Sequence, residues 1–159
     1  MSQPAGDPDE LGLLVADVFE VAGVLRHYGE RIAATAGQTQ ARWQLLSVVS
    51  DGDWTVPAAA DRLGTSRQAV QRIANELVHD GLATFDDNPR HRRSPFLRLS
   101  ADGRRALTAI SAKARLENHA IVSGLDGLDL LRICADLRQL TSAVRVRLED
   151  AGPWQSWPE

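Results

Sequence analysis

Apolar residues recur along the first part of the chain at Leu11, Leu14, Val15, Val18, Ala22, Leu25 and Ile32, the 3.6-residue spacing of an amphipathic helix. The pattern predicts one long first helix that weakens at Gly29 and ends near Gly37. Trp43, Leu45, Leu46, Val48 and Val49 form a shorter, more continuously apolar run, which implies a buried helix stopping at Asp51-Gly52-Asp53. Thr55 can cap a third helix, with Pro57 tolerated in a first turn whose N–H groups lack partners anyway, and Ala58, Ala59, Ala60 and Leu63 supply a small-residue packing face. Gly64 ends it. Thr65 or Ser66 then caps a fourth helix running to Asp80, and Gly81 suits the left-handed closing position.

Beyond this point the period changes. Ala83 to Asp86 and Phe96 to Leu99 are short enough to pair as strands, and the charged segment between them is too long for a tight turn, so it projects as a loop. Ser100 opens a fifth helix through Leu107, Ile110 and Ala114. A last helix from about Asp126 carries Leu130, Ile133, Leu137, Leu140, Val144 and Leu148 on one face. Gly152-Pro153-Trp154-Gln155-Ser156-Trp157-Pro158 cannot continue that helix, and the pattern assigns Trp154 and Trp157 no role. The expected fold class is mainly α with a small β-hairpin.

Length and composition narrow the function classes. A chain of 159 residues suits one domain. No stretch reaches the roughly 18 apolar residues needed to span a bilayer, and Met1-Ser2-Gln3-Pro4-Ala5-Gly6-Asp7 lacks the order of a signal peptide. A cytoplasmic location is therefore expected. The single cysteine, Cys134, cannot form an internal disulfide, and its place between Ile133 and Ala135 predicts a buried structural thiol. No phosphate-cradling glycine loop, zinc spacing, His-Glu-x-x-His or Gly-x-Ser-x-Gly motif occurs. His27, His79, His91 and His119 share no catalytic spacing with a nucleophile, so neither metal, cofactor nor catalysis is expected.

The net charge of -3 conceals a division. Residues 1 to 61 carry three arginines against nine acids, a net of -6, and residues 106 to 159 carry six bases against seven acids, a net of -1. Residues 62 to 105 carry nine arginines against five acids, a net of +4. Local clustering of cations is the footprint of a surface that faces phosphates.

Two features of that positive block carry candidate chemistry. In the fourth helix Val70, Ile73, Ala74 and Leu77 make an apolar face, whereas Gln68, Gln71, Arg72, Asn75 and His79 line an adjacent polar one. Gln and Asn match adenine's paired donor and acceptor, and Arg can donate twice to guanine, so this stripe suits base edges in the major groove. Contacts are expected from the N-terminal half, at Ser66, Arg67, Gln68, Gln71 and Arg72 with Asn75 beyond them. In the loop, Arg90, His91, Arg92 and Arg93 are too crowded for Asp86 and Asp87 to neutralise. A polyanion would relieve their repulsion, through phosphate or the narrow minor groove.

Residues 39 to 110 resemble the winged helix-turn-helix of the MarR family of bacterial transcription regulators. The resemblance rests on Thr55 to Gly64, on Ser66 to Ile73 with Leu77 and Gly81-Leu82, and on Asn88 to Arg93 with Leu97-Arg98-Leu99-Ser100 and Gly103. It implies a winged helix-turn-helix flanked by N- and C-terminal dimerisation helices: a flexible tail over 1–9, a dimerisation helix over 10–38, the DNA-binding domain over 39–110, dimerisation helices over 111–150 and a tail over 151–159. It further implies a homodimer on double-stranded DNA with a near-palindromic operator, no membrane partner, and a repressor released by a small aromatic or phenolic effector. His27, Tyr28, Arg31 and Trp43 are the candidates for lining the effector site. One departure stands out, since relatives commonly carry an acid where His91 stands, orienting the arginine matched by Arg93. His91 instead adds charge to the loop when protonated. The competing expectation is a winged-helix protein-interaction module that does not bind DNA.

Overall fold

A computed structural model describes residues 7–150; Trp154, Trp157 and the expected 151–159 tail lie outside the described residues. The elements in chain order are α1 (Pro8–Ala34), α2 (Gln40–Val48), a 3-10 turn (Val49–Asp51), β1 (Trp54–Thr55), α3 (Val56–Leu63), α4 (Arg67–His79), β2 (Ala83–Asp86), β3 (Phe96–Leu99), α5 (Ala101–Val122) and α6 (Leu130–Asp150). Both predicted strands occur with the expected bounds. Helix α1 begins inside the expected tail because Asp7 and Glu10 form a reciprocal capping box around its first turn. Strand β1 escaped the sequence pattern, since two residues are too few to show a period.

Strand β3 is the centre of a three-stranded antiparallel sheet in the order β1-β3-β2, with Leu97 opposite Trp54 on one side and Phe85 on the other. The local signals that set the helices work as their chemistry requires. Thr55 accepts from the Ala58 N–H at the start of α3, and Ser66 accepts from the Ala69 N–H at 3.1 Å at the start of α4. Gly64 closes α3 with φ 63° and ψ 35°, a left-handed conformation that costs a β-carbon residue strain, so the chain can turn directly into α4.

Internal contacts divide the chain into a larger unit up to Asn118 and a smaller one from His119 onward. In the larger unit Leu45, Leu46, Val70, Leu77 and Leu97 are wholly buried and join α2, α3, α4 and the sheet in one core. A second cluster of Ile32, Ile110 and Ala114 packs with Tyr28 and Trp43, fixing the end of α1 against α5. Gly103 lets the first turn of α5 press against the chain before β2, where a β-carbon would collide with the carbonyl oxygen of Leu82. Ser100 bolts the same junction, its hydroxyl donating to the Gly81 carbonyl at 2.6 Å and accepting from the Gly103 N–H at 3.0 Å.

The smaller unit contains α6, which starts later than the expected Asp126. Asp129 provides the cap, accepting from the Arg132 N–H at 3.0 Å, and Gly127 takes a positive φ of 77° ahead of it. No residue of α6 is buried. The expectation of a buried Cys134 is therefore corrected: the thiol is exposed, as is the apolar face of α6 beside it, where Ile133 and Leu137 are also exposed. The same holds for much of α1, where only Gly29, Ile32 and Ala33 are buried. Phe19 is 74% exposed and Leu131 83%. Among the described residues no helix is long and apolar enough to cross a membrane.

Candidate nucleic-acid interface

Helix α4 divides into two faces, as its spacing predicts. Val70, Ala74 and Leu77 are buried, whereas Ser66, Arg67, Gln68, Gln71, Arg72, Asn75 and His79 are exposed. The polar stripe is partly ordered along the helix: the Gln71 amide donates to Asn75 Oδ1 at 2.9 Å, and Arg72 Nη1 pairs with Glu76 Oε1 at 3.0 Å. Both are i to i+4 contacts on a solvated face, worth a few tenths of a kcal/mol, so exchanging them for base edges costs little. Arg42 on α2 reaches Asp80 beyond the end of α4 at 2.6 Å and ties the helix to the core at its far end.

The loop between β2 and β3 stands next to the start of α4. Arg67, Gln68 and Gln71 line a hollow of about 370 Å³ together with Arg93, Ser94 and Pro95, and Val56, Pro57 and Phe85 provide apolar walls. Of the four predicted loop residues only Arg93 belongs to this hollow; Arg90, His91 and Arg92 are exposed outside it. None of the three loop arginines forms an ion pair among the described residues.

Two structural roles escaped the sequence reading. Asn88 is 5% exposed and bonds across the loop, donating to the Ser94 carbonyl and accepting from the Arg90 and His91 N–H groups. An Asn ahead of a proline in a loop is a signal for such a local turn. Arg98, counted among the cations of the positive block, is held between Asp53 at 2.5 Å and Asp86 at 3.1 Å, and its guanidinium lies 5.7 Å from the Phe96 ring centre. Asp86 is thus engaged at the hairpin's base. No pattern along one strand could reveal that pairing.

The four expected effector residues separate. Tyr28 and Trp43 share a hollow of about 360 Å³ with Leu25, Gln40, Gln44 and Arg62, and the buried Trp43 Nε1 has no hydrogen-bond partner. Arg31 lines an adjoining hollow of about 300 Å³ with Tyr28, Lys113 and Glu117. His27 lines neither; its Nδ1 lies 2.9 Å from the Gly23 carbonyl oxygen on its own helix. The Tyr28 hydroxyl donates to Asn118 at 2.9 Å, and desolvation, reinforced by the Glu117 carboxylate, raises its pKa. The Lys113 ammonium donates to Glu117 and holds that carboxyl below its usual range. Among the described residues no cluster of His, Cys, Asp and Glu is arranged to hold a metal ion.

Helix, turn, helix and an arginine-bearing hairpin on a common core define the winged helix-turn-helix class. The known regulator structures agree with that class. A MarR family transcription regulator, SP03579, is 25% identical with a TM-score of 0.66, the match covering 87% of this chain and 90% of that one. BldR of Sulfolobus solfataricus superposes with a TM-score of 0.73 at 16% identity, over 85% of this chain and 96% of that one. The Mycobacterium tuberculosis regulator MosR, in its complex with DNA, gives 0.70 at 24% identity over 84% and 98%. In sequence, the uncharacterised protein Rv2011c of Mycobacterium tuberculosis is 53% identical over 137 residues, 86% of this chain and 96% of that protein. Residues 36–94, from before α2 through the loop cations, match the model of the MarR family. The chain belongs to the MarR family.

Proposed function

We propose that this chain acts in the cytoplasm as a homodimeric, sequence-specific repressor that occupies a near-palindromic operator and leaves it when a small aromatic or phenolic ligand binds. The observation that carries the reading is the joint hollow where Arg67, Gln68 and Gln71 meet Arg93. A base-reading helix and a phosphate-gripping loop share one surface there. In this reading α4 enters the major groove by its N-terminal half, with Ser66, Arg67, Gln68, Gln71, Arg72 and Asn75 facing bases and phosphates. Arg90, His91, Arg92 and Arg93 follow the backbone or the adjoining minor groove.

Dimerisation follows from the uncovered apolar residues. Leu13, Phe19 and Val24 on α1, and Leu131 and Val146 on α6, are all more than half exposed, and large apolar side chains gathered on a helix in this way mark an interface. A two-fold partner buries it and sets two copies of α4 about 34 to 36 Å apart, one turn of duplex. The effector is proposed to enter the Tyr28–Trp43 hollow, whose apolar and aromatic lining from Leu25, Tyr28, Trp43, Val48 and Leu63 suits a small aromatic ring. Binding there releases DNA by favouring a dimer whose half-site spacing no longer fits. No catalytic step is proposed.

Capture and sequencing of genomic fragments by the purified chain, with and without benzoate or phenol, tests the reading. A recurrent inverted repeat, lost on adding the aromatic, is expected. The competing module without DNA binding predicts no enrichment and is disfavoured by the unpaired arginines of the loop.

A further inference from the structure

Arg90, Arg92 and Arg93 bring like charges together at the tip of a hairpin, and among the described residues none of the three is restrained by a carboxylate. Repulsion among them favours an open, fluctuating loop, yet the backbone there is a compact double turn. The His91 N–H donates to the Asn88 carbonyl at 3.1 Å, and the Ser94 N–H to the His91 carbonyl at 2.9 Å. What closes both turns is a side chain. Asn88 Nδ2 donates to the Ser94 carbonyl at 2.9 Å, while Oδ1 accepts from the N–H groups of Arg90 at 3.1 Å and His91 at 3.3 Å. One amide thereby joins the two ends of the loop and satisfies two backbone donors inside it. This use requires both halves of the amide: a carboxylate lacks the donor and a hydroxyl is too short to span the loop. Asn88 is also the buried polar residue among the described residues, so its side-chain bonds are partly shielded from water.

We infer that Asn88 is the positioning residue of the wing, an amide clamp that holds Arg90, Arg92 and Arg93 in one presented arrangement before DNA arrives. The inference rests on the proposed DNA grip by those arginines. Pre-organisation matters here because a loop ordered only on binding spends part of its phosphate attraction on its own ordering. Asn88 itself touches no nucleic acid. Its effect on affinity passes entirely through the arginines it sets.

The test is a double-mutant cycle on a duplex recovered by the wild-type protein, with a shuffled duplex beside it and salt varied in both. Asn88→Ala is expected to weaken binding to both duplexes about tenfold and to flatten the salt dependence by about one to two contacts. Asn88→Ser, which keeps a short acceptor for the Arg90 and His91 N–H groups, falls between. In a chain already carrying Arg90→Ala, Arg92→Ala and Arg93→Ala, Asn88→Ala should change affinity no further. Trypsin cleavage after the loop arginines should accelerate in Asn88→Ala while the melting midpoint of the core stays near the wild-type value. Full additivity in the cycle, or unchanged cleavage and affinity in both Asn88 variants, overturns the clamp. If removing the three arginines leaves DNA affinity intact, the wing grip fails and the clamp's purpose with it. If that removal weakens binding but the Asn88 variants do not, only the clamp is wrong.

Discussion

The Nη2 of Arg98 on β3 lies 2.5 Å from Oδ1 of Asp53, in the loop before β1. Its Nε lies 3.1 Å from Asp86 at the end of β2, so a single guanidinium spans the neighbours on both sides of the central strand. The two carboxylates would otherwise stand beside a surface proposed to face phosphates. Arg98→Ala should therefore weaken binding to any duplex severalfold by leaving both acids uncompensated. Exposed pairs of this kind contribute about 0–1 kcal/mol to folding, so thermal stability should fall only slightly. Salt-dependent binding beside a melting curve checks this, and a large loss of stability with unchanged binding would contradict it.

The apolar residues of α1 and α6 give a prediction about assembly. Phe19 is 74% exposed in the single chain, so Phe19→Asp removes no intrachain core. It should convert a dimer to a monomer in sedimentation at micromolar concentration, because a buried unpaired carboxylate costs several kcal/mol in an interface. A dimer that persists unchanged would place the interface elsewhere.

Gly103 has no room for a side chain against the Leu82 carbonyl. Gly103→Ala should destabilise the fold by about 1–3 kcal/mol, the usual range for overpacking, by pushing α5 off the sheet junction. Chemical denaturation measures it; a neutral result would mean that the junction yields freely.

Glu117 supplies a pH prediction. Hydrogen bonding from Lys113 lowers its pKa in the folded chain, so the associated stability is present above the ordinary carboxylate value and disappears as pH falls through the lowered one. The gap in melting midpoint between the wild type and Glu117→Gln should be widest near neutral pH and shrink as the solution is acidified below the ordinary carboxylate range. A gap that widens on acidification would reverse the sign.

Helices and strands were legible wherever the cue was local. Thr55 and Ser66 cap, Gly64 stops, and Val70, Ala74 and Leu77 repeat at helical spacing, each acting through neighbours in sequence. Features that depend on distant partners were not legible. The pairing of Trp54 with Leu97 that makes β1, and the contact of Arg98 with Asp53, join positions more than forty residues apart. The exposure of Cys134 has a related cause: an apolar face in the sequence predicts burial, but not what supplies the cover. Of the effector candidates, His27 is turned to solvent by α1, whereas α2 places Trp43 in the lining of the hollow.

The central claim is that the exposed face of α4 reads bases while the loop grips phosphates. Its most direct test compares wild type, Arg72→Ala and Arg92→Ala on the captured duplex and on a shuffled one of equal length. Arg72→Ala should lose about 1–3 kcal/mol of discrimination between the two duplexes. Arg92→Ala should weaken both by similar factors and reduce the salt slope by about one. Equal losses on both duplexes from Arg72→Ala would contradict base reading by α4.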